Sequence, residues 1–130
     1  GDLSLLHAVA QQLPEWNVSS IAQRAGISAL KDTEYEKRTR QLIEKERRYL
    51  IQEFLKMGCT VFPSEADYIT FRLPQEKTGF LLKERLLEGK ILIRSCANYR
   101  NMPPDCYRIA VKQHADNEEL VRQVWRILIQ

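Results

Sequence analysis

Apolar residues recur at helical spacing through Leu3, Leu6, Val9, Ala10 and Leu13, the one-sided pattern of a 3.6-residue period. Pro14 follows, and a proline ring cannot continue a helical ladder, so the first helix is predicted to end there. Ser19 or Ser20 is placed to cap a second helix carrying Ile21, Ala22, Ala25 and Leu30. Gly26 sits inside it and weakens it by about 1 kcal/mol relative to alanine. A much longer helix comes next. Thr33 and Glu36 stand in the capping-box relation. Tyr35, Thr39, Leu42, Tyr49, Phe54 and Met57 trace a stripe at steps of three, four and seven, and Gly58 is the predicted stop. At about 24 residues this helix is roughly 36 Å long. Such a length suits a bridge between two bodies of a larger protein.

After Gly58 the period changes from helical to alternating. Within "CTVFPSEADYITFRL", Ile69, Phe71 and Leu73 share one face and Tyr68, Thr70 and Arg72 the other, which is the signature of a strand. Pro63 breaks off a shorter strand before it. "FLLKERLLEGK" reads as a compact helix closed by Gly89. Ile91 to Cys96 and Tyr107 to Val111 are two further predicted strands, joined by the loop "ANYRNMPPD". Asp116 is the predicted cap of a last helix carrying Leu120, Val121, Val124, Trp125 and Leu128. Helices followed by a small sheet with two covering helices make an α+β fold.

Composition narrows the function classes. A 44% apolar content over 130 residues describes one folded domain, long enough to bury a core. The net charge of +3, from 20 basic and 17 acidic side chains, is too mild to argue for nucleic acid or a membrane surface. The basic and acidic residues between Lys31 and Arg48 interleave, as on a solvated helix face laced with i,i+4 pairs. No apolar run approaches a membrane span, and the first residues lack the pattern of a signal peptide. Three cysteines, Cys59, Cys96 and Cys106, without CxxC spacing fit a reducing, cytoplasmic compartment and neither a disulfide framework nor a metal site. His7 and His114 have no ligand-spaced partners, so both read as surface or packing histidines. Cys96 lies near Arg94, which would lower a thiol pKa; a small buried thiol is the simpler reading. No metal ligand set is expected.

The chemistry concentrates on two arginines. Arg94 lies opposite Ile91 and Ile93 on its strand, and Arg108 opposite Tyr107, Ile109 and Val111 on the next. If the isoleucine faces point to the helices, both guanidiniums emerge on the far side of the sheet. A guanidinium offers a planar fork that matches carboxylate or phosphate, so two convergent forks would form an anion site. Two solvated strand arginines would satisfy the same pattern. The loop "SCANYRNM" between them is polar and adds Asn98 and Arg100.

These residues carry a family resemblance. "GKILIRSCANYRNM…CYRIAVK" followed by "DNEELV" resembles the C-terminal end of fold-type I pyridoxal-phosphate enzymes. The nearest branch holds histidinol-phosphate aminotransferase and the threonine-phosphate decarboxylase of cobalamin biosynthesis. "LPEWNVSSIAQRAG" is similar to that branch's entry into the last part of its large domain. "YEKRTRQLIEKERRYLIQEFLKMG" resembles its interdomain helix. "VFPSEADYITFRL" resembles its "PS-x-A-N-[FY]" strand, with Asp67 where asparagine is usual. Trp16-Asn17-Val18 and "RSCANYR" favour the decarboxylase.

The resemblance implies a division of roles. Residues 1–30 would close the large domain, 31–58 would be the interdomain helix, and 59–130 the small substrate-facing domain. Nearly all of the chain is covered, but it spans only about the last third of such an enzyme, and the "GDLS" start falls within a family-like segment. No stretch matches the surroundings of the Schiff-base lysine, so no catalytic residue is expected here and pyridoxal phosphate would be held mainly by the large domain. Arg108 would grip the carboxylate of a small phosphorylated amino-acid substrate. Arg94 would hold its phosphate or its remainder, and Asn98, Arg100 and Asn17 are further candidates for substrate binding. The exposed apolar side chains of residues 3–30 would pack on the large domain, and a full-length enzyme would be a homodimer. Two alternatives stand beside this reading: a histidinol-phosphate aminotransferase, and a non-catalytic binding or oligomerisation module. An RNA-binding sandwich would need a pair of sheet aromatics on one face, whereas Tyr68 and Phe71 alternate to opposite faces.

Overall fold

A computed structural model describes residues 1–13, 16–77, 79 and 81–129; the predicted stop at Pro14 lies outside them. The chain divides into two units, Gly1–Lys37 and Arg38–Gln130.

The first unit holds α1 (Leu3–Gln12), α2 (Ser20–Ala29) and the start of α3 (Thr33–Lys56). Each helix start is capped by a short polar side chain, which satisfies N–H groups that have no partner within the helix. Asp2 Oδ1 accepts from the amides of Ser4 and Leu5 at 2.8 and 3.0 Å. Ser19 Oγ accepts from Ala22 N at 3.2 Å, as the sequence suggests. For α3 the cap is Asp32, whose Oδ1 accepts from Tyr35 N at 2.9 Å. The predicted capping box began one residue later, at Thr33. The adjacent aspartate wins because a carboxylate at a helix N-terminus also meets the positive end of the helix dipole. No residue of α1 or α2 is buried.

The second unit is built on one four-stranded antiparallel sheet. Its strands are β1 (Thr60–Val61), β2 (Tyr68–Arg72), β3 (Arg94–Ser95) and β4 (Cys106–Ala110). They lie in the order β1-β2-β4-β3, so the two long strands are central. Two helices complete the unit, α4 (Leu82–Glu88) and α5 (His114–Ile129). The alternation read from the sequence is borne out along β2 and at the residue after it, where Ile69, Phe71 and Leu73 are buried against the helices. They meet Leu50, Phe54 and Met57 of α3, Leu82 and Leu86 of α4, and Leu120, Val121, Val124, Ile127 and Leu128 of α5. Beside the two covering helices α4 and α5, the C-terminal half of α3 also packs into this core.

Two further differences have local causes. The stripe expected along α3 is buried only towards its end: Tyr35 and Leu42 are exposed, while Glu46, Leu50 and Phe54 are buried. The charged face expected from Lys31 to Arg48 is also only partly solvated, since Arg47 donates to the carbonyl of Ala66 at 3.0 Å. The predicted strand Ile91–Cys96 shrinks to Arg94–Ser95. Here Ile91 N donates to Leu86 O and Lys90 N to Leu87 O, both at 2.9 Å. These are the two bonds of a Schellman closure, and they commit the start of the expected strand to ending α4. The left-handed residue of this closure is Lys90, with φ 61°, and not the neighbouring Gly89.

The same closure ends α3. Cys59 N donates to Phe54 O, Gly58 N donates to Leu55 O, and Gly58 takes φ 79°. A side chain at this φ strains the backbone, so Gly58→Ala is expected to cost about 1–2 kcal/mol. Lys90→Gly should move stability the other way, by up to about 1 kcal/mol. Urea unfolding of both variants checks this, and equal effects in the two would refute it. The last helix begins at His114, two residues before the predicted cap Asp116, which lies in its first turn. No helix among the described residues is long and apolar enough to cross a membrane.

Candidate functional site

Antiparallel register decides where the two arginines go. Thr70 pairs with Arg108, and Arg108 pairs with Arg94. The guanidinium-bearing positions are thus directly opposite each other on the sheet face that the helices leave uncovered. Arg94 is exposed and Arg108 half-buried. Like charges directly opposite across a strand pair repel. No carboxylate among the described residues forms an ion pair with either one. Each lies instead against a tyrosine. The Arg108 guanidinium carbon is 4.8 Å from the centroid of the Tyr68 ring, and that of Arg94 is 5.8 Å from the Tyr99 ring.

Arg94, Arg108 and Tyr68 line a groove of about 1070 Å³ along the β3 edge, together with Asn98, Lys90 and Lys112. Asp67, Asp116 and Glu119 also reach it. Of the candidates from the sequence, Arg94, Arg108 and Asn98 share this groove. Arg100 is exposed and does not line it. Asn17 belongs to the other unit; it precedes α2, beside a Trp16 that is largely exposed rather than packed. Alternation puts Tyr68 on the face opposite Ile69 and Phe71, but nothing in the pattern marks it as a partner of Arg108.

A buried polar cluster fixes the turn that follows β4. Glu46, on α3, is only 1% exposed. Its Oε2 accepts from Asn117 Nδ2 at 3.0 Å and lies 3.0 Å from Nδ1 of His114. Asn117 also accepts from Lys112 N at 3.1 Å and donates to Lys112 O at 2.9 Å, which pins the chain where it leaves the arginine strand. His114, half-exposed and with its ring centroid 5.0 Å from that of Tyr49, is thus a packing histidine with a specific partner. Sequence pattern missed this cluster because an isolated glutamate in a charged helix reads as solvated.

Burial raises the Glu46 pKa, but the hydrogen bonds from Asn117 and His114 outweigh it and hold it below the ordinary carboxylate value. A depressed carboxylate pKa contributes stability that is fully present above the unfolded value and is lost as pH falls through the folded one. Wild-type melting temperature should therefore drop more steeply below about pH 4.5 than that of Glu46→Gln. At neutral pH the variant should be less stable by about 1–2 kcal/mol. Thermal melts at a series of pH values test this; parallel curves would show that Glu46 does not titrate with folding.

The thiols read as structural. Burial pushes the Cys59 thiol up to about 12. It also raises Cys106, aided by the neighbouring Cys96, and all three cysteines are free and buried. No group of histidine, cysteine and acidic side chains among the described residues is arranged to hold a metal ion. Every lysine among the described residues is at least partly exposed, and Lys90 and Lys112 reach the groove beside the two arginines.

Comparison with known proteins gives the setting. The aminotransferase class I and II family profile matches residues 1–124. The threonine-phosphate decarboxylase of Salmonella typhimurium is 34% identical over 128 residues, covering 98% of this chain and 34% of that protein. The histidinol-phosphate aminotransferase of Oleidesulfovibrio alaskensis is 33% identical over 115 residues, 87% of this chain and 30% of that protein. The crystal structure of the histidinol-phosphate aminotransferase from Clostridium acetobutylicum superposes with a TM-score of 0.79 at 29% identity, covering 97% of this chain and 38% of that one. The chain thus spans about a third of the length of the curated relatives it matches. Its α+β fold is that of the matching part of these enzymes. With the profile running through nearly every element described above, the chain belongs to the aminotransferase class I and II family of pyridoxal-phosphate-dependent enzymes.

Proposed function

We propose that this chain is the substrate-facing portion of a pyridoxal-phosphate enzyme acting on a small phosphorylated amino acid, and that the reaction is decarboxylation of threonine phosphate. The observation that carries this reading is the pair Arg94 and Arg108, opposed across the ladder without a carboxylate partner among the described residues. Two adjacent forks suit a substrate with two anionic groups, and a carboxylate and a phosphate both match the fork bidentately. In this reading Arg108, on the central strand β4, grips the carboxylate. Arg94, on the edge strand, holds the phosphate, with Asn98 beside it. Pyridoxal phosphate would supply the electron sink at the α-carbon. It would be held by a large domain of the same protein, in a homodimer. Residues 59–130 then form the substrate-facing domain, 31–58 the connecting helix, and 1–30 the end of the large domain. The decarboxylase of Salmonella typhimurium and the quoted "RSCANYR" support decarboxylation over amino transfer.

The test uses the enzyme that contains this segment. It is offered threonine phosphate alone, and separately histidinol phosphate with a keto-acid acceptor. Release of carbon dioxide from the first, without an acceptor, is expected. Amino transfer from the second alone would replace this reading with that of an aminotransferase. Inertness towards both would leave a non-catalytic binding or oligomerisation module.

A further inference from the structure

We infer that Tyr68 is a positioning residue: its ring is the platform that orients the Arg108 guanidinium towards the groove. The inference deepens the anion-binding reading of Arg108 and rests on it. Tyr68 pairs with Ala110, two residues beyond Arg108 on β4. The two side chains are therefore diagonal neighbours on one sheet face, within reach of long and aromatic groups. The guanidinium carbon is 4.8 Å from the ring centroid, inside the range of a cation–π contact. Both residues line the groove. Stacking on a ring removes water from one flat side of the guanidinium and restrains its plane. Its N–H edge, which carries the fork, remains free to meet an anion. Pre-arranged in this way, the fork loses less freedom when it binds.

The arrangement at Arg94 differs in kind. Its ring partner, Tyr99, is more distant at 5.8 Å and belongs to the loop between β3 and β4, which contains the left-handed residues Asn101 and Asp105. Tyr68 instead begins β2, a central strand. Its backbone is held there by Ser64 Oγ, which donates to Tyr68 O at 2.6 Å. The platform under Arg108 is part of a strand paired on both sides, and so serves a group whose direction must be defined.

Two measurements decide the matter. In proton NMR of the 130-residue chain, the Arg108 side-chain protons, assigned by their loss in Arg108→Lys, should be shifted upfield by the ring current. The shift should persist in Tyr68→Phe and vanish in Tyr68→Leu. In the enzyme containing the segment, Tyr68→Leu should lower kcat/KM for threonine phosphate by about three- to tenfold, mainly through KM. Tyr68→Phe should recover that loss, and thermal melts should show all variants folded. In the Tyr68→Leu background, Arg108→Lys should cost less than it does alone. An unshifted Arg108 in the wild-type chain would overturn the platform. So would full activity of Tyr68→Leu where Arg108→Lys is impaired, which leaves the grip of Arg108 intact. Full activity of both variants would overturn the anion-binding reading itself, and the platform's role with it.

Discussion

In an enzyme that contains this segment, Arg108→Lys is expected to lower kcat/KM by about ten- to a hundredfold while pyridoxal phosphate stays bound. Lysine keeps the charge but presents a point where arginine presents a planar fork. In the proposed grip, one of two charge-assisted hydrogen bonds to the carboxylate would go, and the direction of the carboxylate with it. Positioning at a reacting centre is sensitive to such losses. Arg94→Lys should act differently, mainly raising KM, and more for a phosphorylated substrate than for its unphosphorylated analogue. Because the two positions are cross-strand partners, the double variant should be non-additive if both forks hold one ligand. Steady-state kinetics of the two single variants and the double variant, with thermal melts as a folding control, provide the check. Wild-type kcat/KM in Arg108→Lys would remove the carboxylate grip and leave two ordinary strand arginines.

Phe54→Ala should destabilise the second unit by about 3–5 kcal/mol, a large part of the stability of a small domain. Phe54 is fully buried at the end of α3. Its ring lies 4.3 Å from that of Phe71, tilted by 51°, so truncation removes an aromatic pair and opens a cavity between helix and sheet. Leu42, three turns earlier on the same helix, is 39% exposed. Leu42→Ala should cost well under that, within about 1 kcal/mol. Chemical denaturation of both variants separates the two. Equal costs would mean that α3 packs along its whole length, as its apolar stripe suggested, and not only at its end.

That contrast shows what was legible in the sequence. β2 could be read directly because strict alternation ties each residue to a face, and a central strand buries one of those faces fully. The placement of Arg94 and Arg108 opposite the isoleucines follows from the same period. Their direct pairing does not, because register is a property of two strands, and only the fold brings residue 94 against residue 108. Along α3 the apolar pattern runs past the region where packing exists, since hydrophobic spacing records a face and not what covers it. Glu46 was hidden for the opposite reason. A buried carboxylate depends on Asn117, about seventy residues on, and no local pattern announces a partner so distant. The short β3 was obscured by a competing use of the same backbone, as Ile91 closes α4 before any ladder begins. The role proposed for the arginines rests on the likeness of their surroundings to a known family, because spacing alone suits a binding fork and a solvated arginine equally.

The pairing of Arg94 with Arg108 has a consequence for local stability. β3 contributes only two residues to the ladder and forms an edge of the sheet, and one of those two residues faces a like charge. Its amides should be among the first in the sheet to exchange hydrogen with solvent, through openings that leave β2 and β4 paired. An anion held by both forks would supply the missing countercharge and span the two strands. By linkage, its binding free energy then adds to the stability of the closed edge, in proportion to the logarithm of its concentration once the site is filled. Slowed exchange at Arg94 and Ser95 would thus register occupancy of the groove without any turnover, and the edge strand would be as ordered as its ligand is abundant.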